Sequence, residues 1–371
     1  VNVASGAIFD VAAALSATNT LSIQGDLTNN GIFDMIAGGT QICNVTFKGA
    51  DNKQIKGTTA VRTDFNILTI NKGTDRNSIL ETTVNAFSVN TSLATALTIN
   101  NGTFRLSAPL TITLTTSSPF TIPVSGCLSA NTGTINIGAA NNNAADLMLQ
   151  GRLEVMNTGV VNIGNGSGSN NDIEYAAAGN PEINISGGSL NVDGQIRRNT
   201  SNTLGSLWFN QSGGTITIKG NNLNTSRGLF EVSNSGSRFN TSGGNLIIEK
   251  AGSITYADVL ITPQNSTVNN TNGGHTLTIG DGTTPAAQTF KLNASAPLWN
   301  LTADGTTQNK TVSLSINTLS VLNNLTINGN GAAGTGSVFK ANELTVTLGG
   351  SLTNNNLSAA LGAGKGGYQA G

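Results

Sequence analysis

Short runs of alternating apolar and small polar residues, each ended by Gly, Asn or Asp, fill almost the whole chain. Examples are Leu97-Thr98-Ile99, Ile135-Asn136-Ile137 and Leu325-Thr326-Ile327. Alternation with a period of two predicts strands that bury one face, and the turn residues end each strand. The one helical candidate, Ala12-Ala13-Ala14-Leu15, is too short to count. The chain is therefore predicted to be all-β.

A four-residue phrase with two central glycines recurs through the middle of the chain. Its copies begin at Ser186, Ser212, Ser242 and Asn272, so the spacing is nearly constant, and each copy opens a strand. A fixed period of this length is typical of repeats in which no unit buries its apolar face alone. Hairpin turns do not recur regularly, so we predict a parallel β-helix (β-solenoid) with coils of roughly 20 to 30 residues.

We expect residues 1–371 to form a single continuous solenoid segment. The apolar residues of successive coils should stack inward as ladders, which we assign to Ile216, Ile218, Leu246, Ile248, Leu277 and Ile279. A second series, formed by phenylalanines, predicts coils of roughly 20 residues in the first third, against roughly 28 in the middle. Its members are Phe33, Phe47, Phe65, Phe87, Phe104 and Phe120. A change of coil size near residues 130–140, or two abutting helices, stays an open alternative.

Composition narrows the classes of partner. Charged residues make up 10% of the chain and the formal net charge is -1, whereas an average soluble domain is about 25% charged. A chain of this kind lacks the basic stripe that nucleic acid requires. No apolar run approaches the length of roughly 18 residues that crosses a bilayer. We therefore expect a neutral polar surface that contacts glycans or neighbouring surface proteins.

Many parallel β-helices are polysaccharide lyases or hydrolases, which require carboxylates close together with a nearby base. The best local cluster is Asp172, Glu174 and Glu182, with Arg197 and Arg198 one coil later. Asp172 and Glu174 should share one strand face, because residues two apart point the same way. The alternative interpretation, which we favour, places these charges on solvated outer faces and turns.

One further charged segment and the single histidine are interpreted as structural rather than catalytic. Lys72, Asp75, Arg76 and Glu81 fall in a glycine-bounded segment, which predicts an exposed salt-bridged turn. His275 is the only histidine, so zinc motifs with two histidines are excluded, and its place beside Gly274 predicts a turn residue.

No cofactor is expected beyond incidental Ca²⁺. Gly280-Asp281-Gly282 is the nearest approach to a calcium-binding β-roll repeat and does not recur. The glycine-rich stretch 164–168 is followed by no helix and no phosphate-binding lysine, so it is interpreted as a loop. Cys43 and Cys127 are separated by several coils of the predicted solenoid. Buried thiols and a single disulfide both remain open for them.

Several phrases link the chain to a family. They are Val45-Thr46-Phe47-Lys48-Gly49, the stretches 65–73 and 101–106, and two Leu-Thr-Asn-Asn phrases that begin at Leu27 and Leu352. With these phrases the chain resembles the very large Asn/Thr/Gly-rich surface proteins of Bacteroidetes, which are typically exported by the type IX secretion system. The resemblance implies a secreted or outer-surface, adhesin-like protein that contacts the secretion machinery. The C-terminal sorting domain of that family is not in this sequence.

The chain starts in mid-pattern at Val1, and the two Leu-Thr-Asn-Asn phrases stand near its opposite ends. Both observations predict an internal fragment that approximates one super-repeat of a larger repeat protein. The leading function is a non-enzymatic structural or adhesive surface protein, a rigid shaft with neutral polar faces. The alternatives are a carbohydrate-active β-helix enzyme that uses Asp172, Glu174, Glu182 and Arg197, and a self-associating filament subunit.

Overall fold

The protein is a three-sided prism of stacked parallel strands in the computed structural model. This structure describes residues 1–11, 18–36, 42–114, 118–138, 146–166, 170–175, 179–199, 205–221, 224, 226–252, 257–280, 287–330, 336–356 and 367–371. Within those residues every strand pairing is parallel and no α-helix occurs. The β-solenoid has about 12 turns that lie roughly 26 residues apart, which confirms the predicted fold class. None of the described residues forms a helix long and apolar enough to cross a membrane.

The strands fall into three columns, A, B and C, which each coil visits in that order. Column A consists of β3 (Asn19–Ile23), β6 (Cys43–Lys48), β9 (Ile67–Asn71), the first half of β12 (Leu97–Leu106), β14 (Phe120–Ile122), β17 (Leu147–Leu149), β20 (Ile173–Tyr175), β23 (Ile196–Arg198), the first halves of β26 (Phe230–Thr241) and β28 (Val259–Val268), β30 (Gln288–Ala294), β32 (Lys310–Leu314), β35 (Val338–Lys340) and β38 (Gly367–Gln369).

Column B lies on the second face. It consists of β1 (Asn2–Val3), β4 (Leu27–Asn29), β7 (Lys53–Lys56), β10 (Ile79–Thr82), the second half of β12, β15 (Gly126–Ala130), β18 (Arg152–Val155), β21 (Glu182–Ile185), β24 (Trp208–Gln211), the second halves of β26 and β28, β33 (Leu319–Val321) and β36 (Val346–Leu348).

Column C lies on the third face. It consists of β2 (Ile8–Asp10), β5 (Ile32–Asp34), β8 (Arg62–Phe65), β11 (Ser88–Val89), β13 (Thr111–Leu114), β16 (Thr134–Ile137), β19 (Val160–Ile163), β22 (Ser189–Val192), β25 (Thr215–Ile218), β27 (Asn245–Ile248), β29 (Thr276–Ile279), β31 (Asn300–Asp304), β34 (Leu325–Asn328) and β37 (Leu352–Asn354).

The core is built from ladders of apolar residues at alternate strand positions. Ile216 pairs in register with Leu246, and Leu246 pairs with Leu277. A second ladder joins Ile218 with the isoleucines of the next two coils, and all six predicted ladder residues are 0% exposed. The ladder prediction is confirmed, because period-two alternation places one side of every strand inside the prism.

The second glycine of the phrases that begin at Ser186, Ser212 and Ser242 lets neighbouring coils approach closely. Gly214 has a φ of +65°, and a Cβ at this position would lie 2.4 Å from the carbonyl oxygen of Gly187 in the preceding coil. Gly188 and Gly244 have a similarly positive φ and similar crowding by the coil before. Only glycine meets both conditions at once.

The coils of the first third are longer than the phenylalanine spacing predicted. Asn19 pairs with Cys43 in column A, and Ile32 pairs with Arg62 in column C. The predicted shorter coil is wrong because the phenylalanines belong to different columns. Phe47 lies in column A, whereas Phe33 packs on Phe65 in column C with ring centroids 5.4 Å apart.

The two Leu-Thr-Asn-Asn phrases occupy different faces of the prism. The first contains β4 in column B, and the second contains β37 in column C. They are therefore not equivalent positions of a super-repeat. A short polar-apolar phrase fits any face of the solenoid, because the strands of all three faces alternate inward and outward side chains in the same way.

Candidate functional site

Column A brings three of the four predicted catalytic residues together. Arg197 on β23 places its Nε 2.7 Å from Asp172 Oδ2, and a terminal nitrogen of the same guanidinium pairs with Glu174 Oε1. Glu174 and Arg197 are in-register neighbours of adjacent coils. Asp172 precedes β20 by one residue and reaches the same guanidinium as Glu174. The predicted shared face of Asp172 and Glu174 is confirmed.

The prediction that these charges lie on a solvated face is wrong. Asp172, Glu174 and Arg197 are 5%, 9% and 6% exposed. Their polar atoms are also committed to partners. Asp172 Oδ1 accepts from the backbone N of Gln195 at 2.6 Å, and Glu174 Oε2 accepts from Asn199 Nδ2 at 3.1 Å. Every carboxylate oxygen of this pair of acids therefore already has a partner in a neighbouring coil.

Burial changes the acidity of the cluster. It raises the pKa of Asp172 to about 7, against the attraction of Arg197 and with help from the nearby Asp146 carboxylate. Burial also raises the pKa of Asp146 to about 6. Asp146 Oδ1 accepts from the backbone N of Asp172 at 2.8 Å. Asp172 in turn accepts from the backbone N of Gln195, so each aspartate caps a backbone N–H of the next coil. Desolvation and the closeness of the acids both favour the protonated form here.

Asp146, Asp172 and Glu174 have the donor set of a hard-cation site, since one oxygen of each lies within 4.8 Å of the others. Ca²⁺ requires six to eight oxygen ligands. The Arg197 guanidinium already supplies positive charge to two of these carboxylates. A bound cation would have to displace it. Asp281 and Gly282 of the other calcium candidate lie outside the described residues.

Glu182 belongs to a different site. It begins β21 in column B, where its Oε2 pairs with Arg152 Nε at 2.9 Å and with an Arg76 terminal nitrogen at 3.0 Å. Its Oε1 accepts from Asn210 Nδ2 at 3.3 Å. Glu182 therefore contacts a set of residues separate from Asp172 and Glu174. The predicted catalytic quartet does not assemble.

The second charged segment is not the exposed salt-bridged turn that we predicted. Lys72 is fully buried, and its Nζ donates to the carbonyl oxygens of Lys48 and Gly49 at 3.4 and 3.2 Å. Arg76 reaches across several coils to Glu182. Only Asp75 behaves as predicted for a turn, since it is exposed and caps the backbone N of Asn77.

The fourth member, Glu81, is also not part of a salt-bridged turn. It lies on β10, and its two oxygens accept from Gln54 Nε2 at 3.0 Å and from Ser107 Oγ at 2.7 Å. These partners lie in the preceding and following coils. The side chain therefore links three coils of column B.

Arg198 forms an ion pair with a buried acid that sequence reasoning missed. Its Nε lies 3.0 Å from Oε2 of Glu231, which is 1% exposed. Glu231 Oε1 accepts from the backbone N of Gly228 at 2.8 Å. No local sequence pattern marks this pair, because it depends on the register that sets Ile196 beside Phe230. That pairing brings Glu231 into the coil next to the two arginines.

His275 lies between Gly274 and β29, as a turn residue would, but its side chain is 0% exposed. Its Nε2 lies 3.0 Å from Gln211 Oε1, which can only accept, so Nε2 carries the proton. Burial lowers the pKa of His275 to about 4. The predicted turn position is therefore correct, but the side chain points into the core. His275 is a neutral residue of the core that packs edge-on against Phe239.

The two cysteines are free thiols. Cys43 lies on β6 in column A and Cys127 on β15 in column B, and both are buried. Burial raises the pKa of Cys127 to about 12, which keeps this thiol protonated. The disulfide that the sequence left open is not formed.

An open groove of about 440 Å³ runs along the outside of column B. Its floor is a ladder of side-chain amides, in which Asn210 Nδ2 donates to Asn184 Oδ1 at 2.7 Å and Asn240 Nδ2 donates to Asn210 Oδ1 at 2.9 Å. The lining residues come from five successive coils. They are Glu154, Glu182, Asn184, Ile185, Ser186, Asn210, Gln211, Ser212, Asn240, Thr241, Ser242, Thr267 and Asn269.

Sequence reasoning missed this groove, although its signal is present. An asparagine stands two residues before the first serine of three repeated phrases, in Asn184-Ile185-Ser186, Asn210-Gln211-Ser212 and Asn240-Thr241-Ser242. Residues two apart on a strand face the same side. Each of these coils therefore offers one amide and one hydroxyl to the groove.

Column C carries a similar ladder beside the glycine-rich stretch. Asn162 Nδ2 donates to Asn136 Oδ1, and Asn191 Nδ2 donates to Asn162 Oδ1, both at 2.8 Å. Gly166 donates its backbone N–H to Asp193 Oδ2 at 2.7 Å, so this N–H is already hydrogen-bonded within the protein. The rest of the stretch, Ser167 and Gly168, lies outside the described residues.

The geometry thus offers two contrasting candidates: a buried ion-pair cluster in column A and an open neutral groove in column B. A comparison with known proteins finds no matching family model, no similar curated protein and no similar solved structure.

Proposed function

We propose that this chain is a rigid, non-catalytic solenoid shaft that presents neutral polar faces for adhesion or spacing. One observation carries the proposal. The acids and bases that could catalyse a reaction are paired with one another, whereas the open groove of column B is floored by uncharged amides. Adhesion needs a long, regular polar surface, and a continuous ladder supplies one.

The strongest argument for an enzyme is Asp172. A carboxyl with a pKa of about 7 is suited to proton transfer near neutral pH. A general acid or base must, however, come within hydrogen-bond reach of the substrate. Asp172 is 5% exposed, and its oxygens are taken by Arg197 and the backbone of Gln195. Its raised pKa follows from burial among other acids.

The fold supports a mechanical role. The strands of each coil pair with those of the neighbouring coils, so the apolar ladders and the parallel pairings extend through the stack. Such a stack is stiff along its axis. The resemblance to exported surface proteins supports a place outside the cell or on its surface, reached through a secretion system and beside glycans or neighbouring proteins.

Turnover assays test the proposal. The protein is incubated with neutral and acidic polysaccharides, and reducing ends and unsaturated products are followed over time. We expect no product above a boiled-protein control. Product formation that disappears in the variants Asp172→Asn, Glu174→Gln or Glu182→Gln would establish the lyase or hydrolase alternative instead.

A further inference from the structure

We infer that the groove of column B binds one extended, neutral, β-linked polysaccharide strand that lies along the solenoid axis, with about one sugar on each coil. This role rests on the proposed adhesive function and names its ligand class. The groove is defined by outward side chains of β18, β21, β24, β26 and β28 together with the residues that follow these strands.

The first argument is periodicity. Asn184, Asn210, Asn240 and Thr267 are in-register partners of four successive coils. Neighbouring strands lie about 4.8 Å apart, so the row from Glu154 to Thr267 extends about 19 Å. An extended β-linked hexose chain advances by nearly the strand spacing with each sugar. Such a polymer meets an asparagine amide at each of the three central steps, whereas a compact ligand would contact only one or two coils.

The second argument is hydrogen-bonding capacity. Within the described residues, the amide nitrogen of Asn184 and the amide oxygen of Asn240 make no hydrogen bond, because the ladder uses only the other end of each group. The hydroxyls of Ser186 and Ser212 make none either in that part of the chain. The groove therefore offers a free donor at Asn184, a free acceptor at Asn240 and two hydroxyls that can do both. Sugar hydroxyls, which both donate and accept, match this mixture.

The third argument concerns charge. Two carboxylates line one end of the groove, and each is neutralised. Glu154 pairs with Arg105 at 3.3 Å, and Glu182 pairs with Arg76 and Arg152. A polyanionic ligand would approach these acids without finding an uncommitted base. A polycation would meet three arginines. An uncharged chain avoids both penalties.

Length-dependent binding follows from this geometry. Each sugar adds the contacts of one coil, and linked weak contacts raise affinity together. Isothermal titration with β-1,4-linked oligomers of glucose, mannose and N-acetylglucosamine, from two to six sugars, tests this. In at least one series we expect the affinity to rise several-fold per sugar and to level off near five sugars. α-1,4-Linked glucose oligomers and oligogalacturonate should bind at least tenfold more weakly than the matching series.

A pair of matched variants locates the site. Ser212→Tyr fills the centre of the groove without removing a ladder amide, and we expect at least a tenfold loss of affinity. Ser189→Tyr makes the same substitution on column C and should bind like the parent protein. Circular dichroism melting curves verify that both variants fold.

Three results would overturn the groove assignment: no length dependence in any of the β-linked series, equal binding by the two variants, or preferred binding of the charged oligomers. None of these results involves turnover, so the non-catalytic shaft would still stand. Degradation of the oligomers during titration would instead overturn the proposed function itself.

Discussion

Columns A and B differ in how they accommodate polar side chains: column A buries an ion-pair cluster, whereas column B exposes uncharged amides. Column A packs Asp172, Glu174 and Arg197 together with almost no exposure, whereas column B lays Asn184, Asn210 and Asn240 along an open groove. Stacking repeats each position at about 4.8 Å, so like charges in one column would repel at every step. Amides donate at one end and accept at the other, and they can therefore repeat without limit. Charged side chains in column A must instead alternate in sign, so that each is neutralised by a partner in an adjacent coil.

Removal of the Arg197 guanidinium from column A should cause the largest loss of local stability. Arg197→Met leaves Asp172 and Glu174 buried without their partner, which should cost about 3–5 kcal/mol of local stability. Hydrogen–deuterium exchange of strands β17, β20 and β23 measures this loss. The control Arg238→Met removes an exposed guanidinium that lies 4.0 Å over the Trp208 ring, and it should cost about 1 kcal/mol or less. Equal losses in the two variants would show that the cluster is not neutralised by Arg197.

Acid should weaken the core behind the groove. The folded-state pKa of His275 is about 4, below its ordinary value of 6.5, so the unfolded chain binds the proton more tightly. The stability that neutral His275 contributes is complete above pH 6.5 and falls as the pH drops toward 4, by about 2–3 kcal/mol. Exchange protection of β29 between pH 7 and pH 4 measures this fall. A His275→Gln variant should lose the dependence, and a slope that survives in it would assign the effect to another group.

The charged cluster should respond to pH with the opposite sign. The folded-state pKa values of Asp172 and Asp146 are about 7 and about 6, above the ordinary 3.8, so the folded protein holds these protons more tightly. Their contribution to stability is complete below pH 3.8 and is lost as the pH rises through 6 to 7. Lowering the pH from 8 to 6 should stabilise β20 by about 1–2 kcal/mol.

Hydrogen exchange at the two pH values, corrected for intrinsic rates, tests this gain. Asp172→Asn has no titrating group at that position, so most of the gain in protection between pH 8 and pH 6 should disappear in this variant. Unchanged protection of β20 in the parent protein would mean that Asp172 is already ionised at pH 6.

The smallest expected effect lies at the groove wall. Thr241 is 3% exposed, and among the described residues its Oγ1 has no hydrogen-bond partner. Thr241→Val replaces this hydroxyl with a methyl group of similar size and should stabilise the protein by about 1 kcal/mol. Thr241→Ser keeps the hydroxyl, loses the methyl group and should destabilise it. Denaturation midpoints compare the two, and a loss of stability in the valine variant would reveal a partner for the hydroxyl.

The sequence by itself determined the all-β class, the parallel coils and the inward ladders. Ile216, Leu246 and Leu277 could be assigned correctly because alternation along a strand is local, and because the repeated glycine phrase marks the same point of each coil. The polar face of a strand obeys the same rule. The amides of the groove were therefore also within reach of the sequence, just before each phrase.

Only the tertiary structure decided which polar residues meet and which are buried. Arg76 reaches Glu182 in a distant part of the chain, and Asp146 joins Asp172 and Glu174, yet no local pattern marks either contact. The interval between paired residues is short from Gln288 to Lys310 and much longer from Ile196 to Phe230. Loop length thus varies from coil to coil, and the residues that stack beside one another depend on the summed lengths of all the loops between them. Alternation fixes the side of the strand on which a residue lies, but only this accumulated register fixes its neighbours.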